Sequence, residues 1–199
     1  APPLPPTLGW VATPFWDRVA RDAQAAFAEL LELLAGRVAP FELPASSAEA
    51  VEWHRTIMEA EIAGSFEAEY ERGRDRLSAS LRGQIERGRS VSAVEHRKAV
   101  ARIDVVNAGF DGVFEHFDAL LTPAALGTAP AGLESTGDPI MCTLWTYCGM
   151  PAVTLPLLHG DDGLPIGVQL VARRGDDARL LRTANWLTGL VQQALGSAR

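Results

Sequence analysis

The segment from Asp118 to Ala172 constrains the fold more than any other part of this sequence. Short apolar runs alternate there with turn-forming residues, at a spacing typical of the packed strands and helices of an enzyme core. The apolar, β-branched run Ala152–Leu158 predicts a buried strand. A Gly-Asp-Asp-Gly turn separates it from the run Ile166–Ala172, so the two runs predict a β-hairpin.

The first half of the same segment predicts a strand, a loop and a helix. Ala119–Leu121 is a short apolar run that ends at Thr122-Pro123, and glycine, proline, serine and threonine dominate the loop over residues 124–139. Met141–Cys148 has the apolar character of a helix, and Gly149 is expected to end it. Polar loop residues therefore lie between a strand end and a helix start, where α/β proteins place their ligands.

The rest of the chain supplies further strands and a helical middle, which we assign to residues 46–117. Thr13-Pro14 predicts the N-cap and first position of one helix, while Ser46-x-x-Glu49 and Ser92-x-x-Glu95 predict capping boxes of two others. Short strands are predicted near residues 8–12 and 37–43, and a last helix near residues 176–195. The order of elements predicts an α/β fold with a mixed β-sheet flanked by helices, with the sheet and pocket segment over residues 118–199.

Composition narrows the possible partners. The 199 residues carry a net charge of −7 and form no basic stripe, which disfavours binding to nucleic acid or to an anionic membrane. No run approaches the roughly 18 apolar residues of a membrane span, and the first ten residues do not resemble a signal peptide. Cys142 and Cys148 fit neither a CxxC pair nor a zinc site. We therefore expect a cytoplasmic location with reduced thiols.

Common catalytic and cofactor patterns are missing from the sequence. The GxSxG elbow of serine hydrolases does not occur, so no histidine can lie beside one. We interpret the four histidines as surface residues; they are His54, His96, His116 and His159. HExxH, calcium-loop, P-loop and GxGxxG patterns do not occur either. The sequence therefore predicts neither a metal nor a cofactor.

The loop Ser135–Asp138 is the best candidate site on physical grounds. It gathers three polar side chains beside the apolar segment Trp145–Tyr147. Two interpretations carry equal weight: these residues bind a ligand, or one of them caps the helix that begins near Met141.

These same residues resemble the amidase signature hydrolases. The resemblance is carried by successive blocks that look like the C-terminal half of such enzymes: DALLTPA (118–124), STGDP (135–139), GMPAVTLP (149–156) and LPIGVQLVARRGDDARLL (164–181). The strand LGWV and the segment HRTIMEAE (54–61) are similar to the part of the family that follows its catalytic region. The resemblance covers nearly the whole chain, and the motifs together are more specific than any one alone.

The resemblance implies an amide hydrolase with a Ser–cis-Ser–Lys triad, in which backbone amides stabilise the oxyanion. The glycine- and serine-rich signature and its upstream lysine do not occur in this chain. The only lysine, Lys98, falls on a charged helix, and the only adjacent serine pair, Ser46-Ser47, has no flanking glycine. We therefore assign no catalytic residue.

What the resemblance does carry over is the opposite wall of the substrate pocket. In the related glutamyl-tRNA amidotransferases, an aspartate near this position contacts the substrate's amino group, and Asp138 matches it within about one position by spacing. Thr136 and Trp145 would be its neighbours. STGDP looks more like the stand-alone bacterial amidases than like the amidotransferases, which argues against glutamine as the substrate.

The main hypothesis is that residues 1–199 are the C-terminal portion of an amidase, which hydrolyses a small-molecule carboxylic amide to an acid and ammonia or an amine. The chain would supply pocket wall and sheet, would need the N-terminal catalytic portion as its partner, and would be inactive alone. A homodimer could cover its exposed sheet. The alternative is a non-catalytic binding or assembly protein that reuses the half-fold.

Overall fold

A computed structural model describes residues 5–197, and within them the strands form one mixed sheet. The strands are β1 (Leu8–Trp10), β2 (Val38–Pro40), β3 (Ala119–Pro123), β4 (Ala152–His159) and β5 (Pro165–Val171). Their order across the sheet is β2-β1-β3-β5-β4. Strand β1 pairs in parallel with β2 and β3, whereas β5 pairs antiparallel with β3 and β4. The predicted α/β fold with a mixed sheet flanked by helices is confirmed.

Helices cover both faces of this sheet. They are α1 (Arg21–Leu33), α2 (Ala50–Ser65), α3 (Glu67–Gly73), α4 (Ala79–Ser90), α5 (Ala93–Ala108), α6 (Ile140–Cys148) and α7 (Asp177–Ser197). Short 3-10 turns lie at Trp16–Arg18, Ala45–Ser47, Arg74–Arg76 and Val113–Glu115. Within residues 5–197, no helix combines the length and the apolar character that crossing a membrane requires.

Two hydrophobic layers sandwich the sheet because side chains alternate along each strand. On one face Phe27 of α1 and Leu187 of α7 pack with Leu121 of β3. On the other face Leu120 of β3 packs with Phe110 and Trp145. Full burial of one such side chain stabilises the fold by about 1.5–3 kcal/mol, so this alternation fixes the register of β3.

The capping box at Ser92 is confirmed, and it starts α5. The Ser92 hydroxyl accepts a hydrogen bond from the Glu95 amide, and the Glu95 carboxylate accepts one from the Ser92 amide. The predicted box at Ser46 is wrong. Residues Ala45–Ser47 form a 3-10 turn, and α2 begins only at Ala50, without a side-chain cap.

The predicted helix start at Thr13-Pro14 is also wrong. The Thr13 hydroxyl accepts from the Phe15 amide at 3.3 Å, which makes a local turn, and a 3-10 turn follows. Helix α1 begins at Arg21 because the chain first passes over the end of the sheet, where the Ala20 amide donates to the Leu126 carbonyl at 2.7 Å.

Strand β4 lies at the edge of the sheet, so the expectation of a buried strand is wrong. Its side chains alternate between exposed and half-buried. The register shifts between Leu155 and Leu158, where Pro156 interrupts the pairing with β5. A proline and an irregular register are common at sheet edges, since neither suits a strand that pairs on both sides.

Candidate functional site

The candidate site lies beyond the carboxyl ends of the parallel strands. Strands β1 and β3 run in the same direction, so their carboxyl ends meet at one edge of the sheet. The turn over residues 13–18 leaves β1 there, and the loop over residues 124–139 leaves β3 and leads into α6. Both connections therefore converge at the start of α6.

A cavity of about 580 Å³ opens between this loop and the β4–β5 hairpin. Thr136 and Asp138, two of the site residues predicted from the sequence, both contribute to its lining. Gly167 of β5 lies in the lining as well, and a Cβ there would lie 2.6 Å from Thr154 Cγ2 and 2.9 Å from Ala124 Cβ. The absence of a side chain at Gly167 thus lets the loop approach the sheet closely.

Asp138 uses both of its carboxylate oxygens. Its Oδ1 accepts a hydrogen bond from the amide of Ile140, the first residue of α6, at 2.9 Å. Its Oδ2 accepts from Arg18 Nη2 at 2.5 Å. The side chain remains 41% exposed and that of Arg18 49% exposed, so the ion pair is accessible from the cavity mouth. The N-cap of α6 is Pro139 and has no side-chain cap, so Asp138 bonds the first helical amide from one position before the cap. The sequence did not predict the cation that accompanies it.

Arg18 belongs to the 3-10 turn after β1. It lies 120 residues before Asp138 in the sequence. Its guanidinium lies 5.9 Å from the centre of the Phe15 ring, an arrangement that favours a cation–π contact. No motif in the sequence marks Arg18. Only its position just after a strand could have singled it out, since such positions lie near the ligand edge of α/β sheets.

Hydrogen bonds at the hairpin turn hold the loop in place. Thr128 Oγ1 donates to Asp162 Oδ2 at 3.0 Å, and the Asp161 amide donates to Asp22 Oδ2 at 3.2 Å. Within the loop, the Ser135 hydroxyl accepts from the Gly137 amide at 3.1 Å. Ser135 therefore shapes the local turn, whereas Thr136 and Asp138 line the cavity.

Trp145 lies elsewhere. It is only 1% exposed, its ring centre is 6.0 Å from that of Phe110, and it contributes to a second cavity of about 180 Å³. Its indole Nε1 is buried and has no hydrogen-bond partner among the described residues. The structure thus brings Thr136 and Asp138 to one cavity, and places Trp145 at a neighbouring one.

The groups considered for catalysis are dispersed. Lys98 is exposed on α5. In the turn before α2, Ser47 Oγ donates to the Pro44 carbonyl at 2.7 Å, and Ser46 Oγ is buried without a partner among the described residues. Within residues 5–197, none of the hydrogen bonds formed by side chains joins Lys98 to a serine.

The histidines lie apart from one another and form no common site. His116 and His159 are exposed and His96 is half-buried, 3.9 Å from Glu61. His54 is half-buried and lines a cavity of about 410 Å³ between α2, α5 and α6, where burial lowers its pKa. In the described part of the chain, no group of three or more His, Cys, Asp or Glu residues is arranged to hold a metal ion.

Comparison with known proteins shows which family this chain resembles. A family model described as Amidase matches residues 5–181. The A subunit of the glutamyl-tRNA(Gln) amidotransferase from Prochlorococcus marinus (strain MIT 9313) is 38% identical over 96 residues, which are 45% of this chain and 20% of that protein. The 2-amino-5-chloromuconic acid deaminase of Comamonas testosteroni is 27% identical over 197 residues, which are 90% of this chain and 42% of that protein.

Solved structures agree with the sequence matches. A crystal structure of an amidase superimposes with a TM-score of 0.79 and 25% identity, covering 94% of this chain and 46% of that one. This chain therefore spans less than half the length of the relatives it matches.

Proposed function

Because the chain belongs to the amidase family, we propose that it is the C-terminal portion of an amide hydrolase. It supplies one wall of the substrate pocket, and the Ser–Ser–Lys triad lies in a segment outside these residues. The substrate is a small-molecule carboxylic amide, which water converts to an acid and ammonia or an amine. The observation that carries the proposal is the convergence of Thr136 and Asp138 at one cavity beyond the ends of β1 and β3.

The geometry of Asp138 supports a role in holding substrate. A carboxylate has about four lone-pair positions, and two are occupied by Ile140 N and Arg18 Nη2. The remaining positions can accept a hydrogen bond from an N–H group of the substrate. Arg18 fixes the carboxylate, and the Thr136 hydroxyl can donate or accept beside it. Such a wall positions the amide while groups outside the chain perform the chemistry.

The sheet edge supports the proposal of a missing catalytic portion. Strand β4 pairs with β5 on one side and has no strand partner on the other within residues 5–197. Leu155, Leu157 and Leu158 are only half-buried along this edge. These side chains pack against the core and Pro156 interrupts the strand, so only part of this eight-residue edge can pair further; we infer that the catalytic portion, or a second copy of the chain, covers it.

The first experiment assays the purified chain for release of ammonia or amine from aryl and aliphatic amides. We expect no hydrolysis. Measurable turnover that a serine-directed reagent abolishes would overturn the assignment of the catalytic groups to a segment outside the chain.

The second experiment replaces Asp138 by asparagine in the full-length amidase that includes this chain. Asparagine keeps an oxygen for the Ile140 amide, but it removes the charge and replaces the oxygen that accepts from Arg18 by an NH2 group that only donates. We expect kcat/KM to fall by about 10-fold or more, as when a hydrogen bond to a charged group worth about 1.5–3 kcal/mol is lost. Asp104→Asn on the exposed surface of α5 is the matched control. Equal kcat/KM in both variants would remove Asp138 from the pocket.

A non-catalytic binding or assembly protein is the second candidate. It is favoured by the dispersed positions of Lys98 and the Ser46-Ser47 pair. This candidate predicts a stable monomer that binds a ligand near Asp138 and whose gene is not preceded by a catalytic portion. A neighbouring upstream frame with a lysine and a glycine- and serine-rich signature would favour the amidase.

We also propose a cytoplasmic location, which the two free cysteines support. The net charge of −7 supports the expectation that nucleic acid is not a partner.

A further inference from the structure

The cavity beside Trp145 lies at the carboxyl ends of β1 and β2. Thr13 and Phe15 follow β1, Leu43 follows β2, and Leu144 and Trp145 of α6 line the opposite side. This is the edge of the sheet at which α/β proteins bind ligands. The cavity therefore lies where a ligand is expected, and its lining indicates which kind.

The lining consists entirely of uncharged residues, with four apolar side chains from α6 facing the start of α2. The volume is about 180 Å³. For comparison, an engineered apolar cavity of about 150 Å³ stays dry and binds benzene. The cavity therefore has room for one phenyl-sized or branched-alkyl group and no group to neutralise a charge.

Two polar groups of the lining residues lack a good partner: the Trp145 indole Nε1 has none among the described residues, and the Thr13 hydroxyl has only a weak one. Thr13 is 7% exposed, and its hydroxyl donates a hydrogen bond to Met141 Sδ. The distance between Thr13 Oγ1 and the sulfur is 3.3 Å. A thioether sulfur is a weak acceptor, so this buried donor gains little from the contact. A carbonyl oxygen in the cavity would be a stronger acceptor, and the Thr13 hydroxyl could turn to it without losing the bond that it accepts from the Phe15 amide.

The two cavities meet at the beginning of α6. Ile140 lines the apolar cavity, and its amide is bonded to Asp138, which lines the larger one. We propose that the apolar cavity binds a compact, uncharged aryl or branched-alkyl group that carries a carbonyl oxygen, with Thr13 as the hydrogen-bond donor. If the proposed function holds, this group is the apolar substituent of the amide, and the substrate is an uncharged aromatic or branched-chain amide.

The experiment measures binding of benzamide, benzoate and toluene to the purified chain by ligand-observed NMR titration. Benzamide and toluene should bind, and benzoate, which has the same ring but a charge, should bind at least 10-fold more weakly. Thr13→Val should weaken benzamide about 2- to 12-fold, the equivalent of one hydrogen bond, and leave toluene unchanged.

Blocking the cavity locates the site. Ala48 is exposed at the rim, so Ala48→Phe should fill the cavity without disturbing the fold, and it should abolish binding of both neutral probes. Ala101→Phe places the same side chain on the exposed surface of α5 and should have no effect.

Equal binding of benzoate and benzamide, or equal binding by the Ala48→Phe and Ala101→Phe chains, would overturn the proposal. Circular dichroism establishes that each variant is folded, and Thr13→Val provides an independent test should Ala48→Phe unfold. None of these measurements needs hydrolysis, so a failure here leaves the proposed function standing. Conversely, an absence of amidase activity leaves the binding result intact.

Discussion

Gly88 lies at the crossing of α2 and α4, and replacing it by alanine tests how closely these helices must approach. A Cβ at Gly88 would lie 1.9 Å from the carbonyl oxygen of Glu59 and 2.9 Å from the Ala63 Cβ. Ordinary Cβ contacts begin at 3.4 Å, so the helices would have to separate by about 1.5 Å. The obstacle is backbone, which cannot rotate aside as a side chain can.

The separation would also disturb a buried carboxylate. Glu59 has a side chain only 8% exposed; its Oε1 accepts a hydrogen bond from Arg87 Nε at 2.8 Å and forms an ion pair with Nη2 at 2.6 Å. Overpacking typically costs about 1–3 kcal/mol, occasionally more, and the higher helix propensity of alanine offsets about 1 kcal/mol. We expect the overpacking cost of Gly88→Ala to lie at or above the upper end of this range, because the atoms in the way belong to the Glu59 backbone and cannot move aside. The free energy of unfolding should fall by about 2 kcal/mol or more, and the Tm by about 4–8 °C.

Urea unfolding followed by circular dichroism measures this change, and an unchanged m-value would assign it to the native state. Gly83→Ala in the same helix is the control. Its Cβ would meet only the end of the flexible Arg87 side chain, at 3.4 Å, so we expect it to stabilise the chain by up to about 1 kcal/mol. If Gly88→Ala were as stable as the parent chain, the close approach of α2 and α4 would be refuted.

Three further predictions concern pH, a buried hydroxyl and the caps. Burial raises the pKa of the Cys148 thiol from 9.0 to about 12, so above pH 9 only the unfolded chain loses this proton; stability should fall from pH 9 toward 12, with a shallower fall of the urea midpoint in Cys148→Ala. Tyr147→Phe removes a 2.6 Å hydrogen bond to the Ala99 carbonyl and should lower the free energy of unfolding by about 1 kcal/mol in the same assay, whereas an unchanged midpoint would contradict this bond. Ser92→Ala should destabilise the chain by about 1 kcal/mol, but Ser46→Ala should be nearly neutral because its hydroxyl has no partner among the described residues; equal thermal shifts would contradict the cap assignment.

Part of the candidate site was predictable because its signals are local. The strand ending at Pro123, the loop that follows and helix α6 lie in succession, so their order alone places Thr136 and Asp138 between a strand end and a helix start. The interaction of Asp138 with Ile140 is equally local, spanning two residues. The parts that were missed depend on distance in the chain. Arg18 meets Asp138 across 120 residues, and no short motif records such a pairing.

The same distinction explains the two capping patterns. Ser92 and Ser46 are each followed three residues later by glutamate, and the pattern is identical in sequence. At Ser92 the surroundings are open, so the local hydrogen bonds form. At Ser46 the hydroxyl is buried so close to Gly109 that a Cβ added to this glycine would lie only 2.7 Å from Ser46 Oγ. The backbone there forms a 3-10 turn and not the start of an α-helix. Packing between distant segments overrides a local preference worth only about 1 kcal/mol.

The sequence by itself determined the mixed α/β sheet, the hairpin of β4 and β5, helix α6 and the likeness to amidases, because each depends on residue order and on periodicity within a few turns. The tertiary structure alone decided that β4 is an edge strand, that Arg18 pairs with Asp138, and that Trp145 lines a cavity of its own. These features arise when the layers on the two faces of the sheet pack together. Trp145 lies inside α6, whose periodicity directs it to one cavity, whereas Asp138 lies in the loop before α6, where Arg18 and the Ile140 amide hold it at the other.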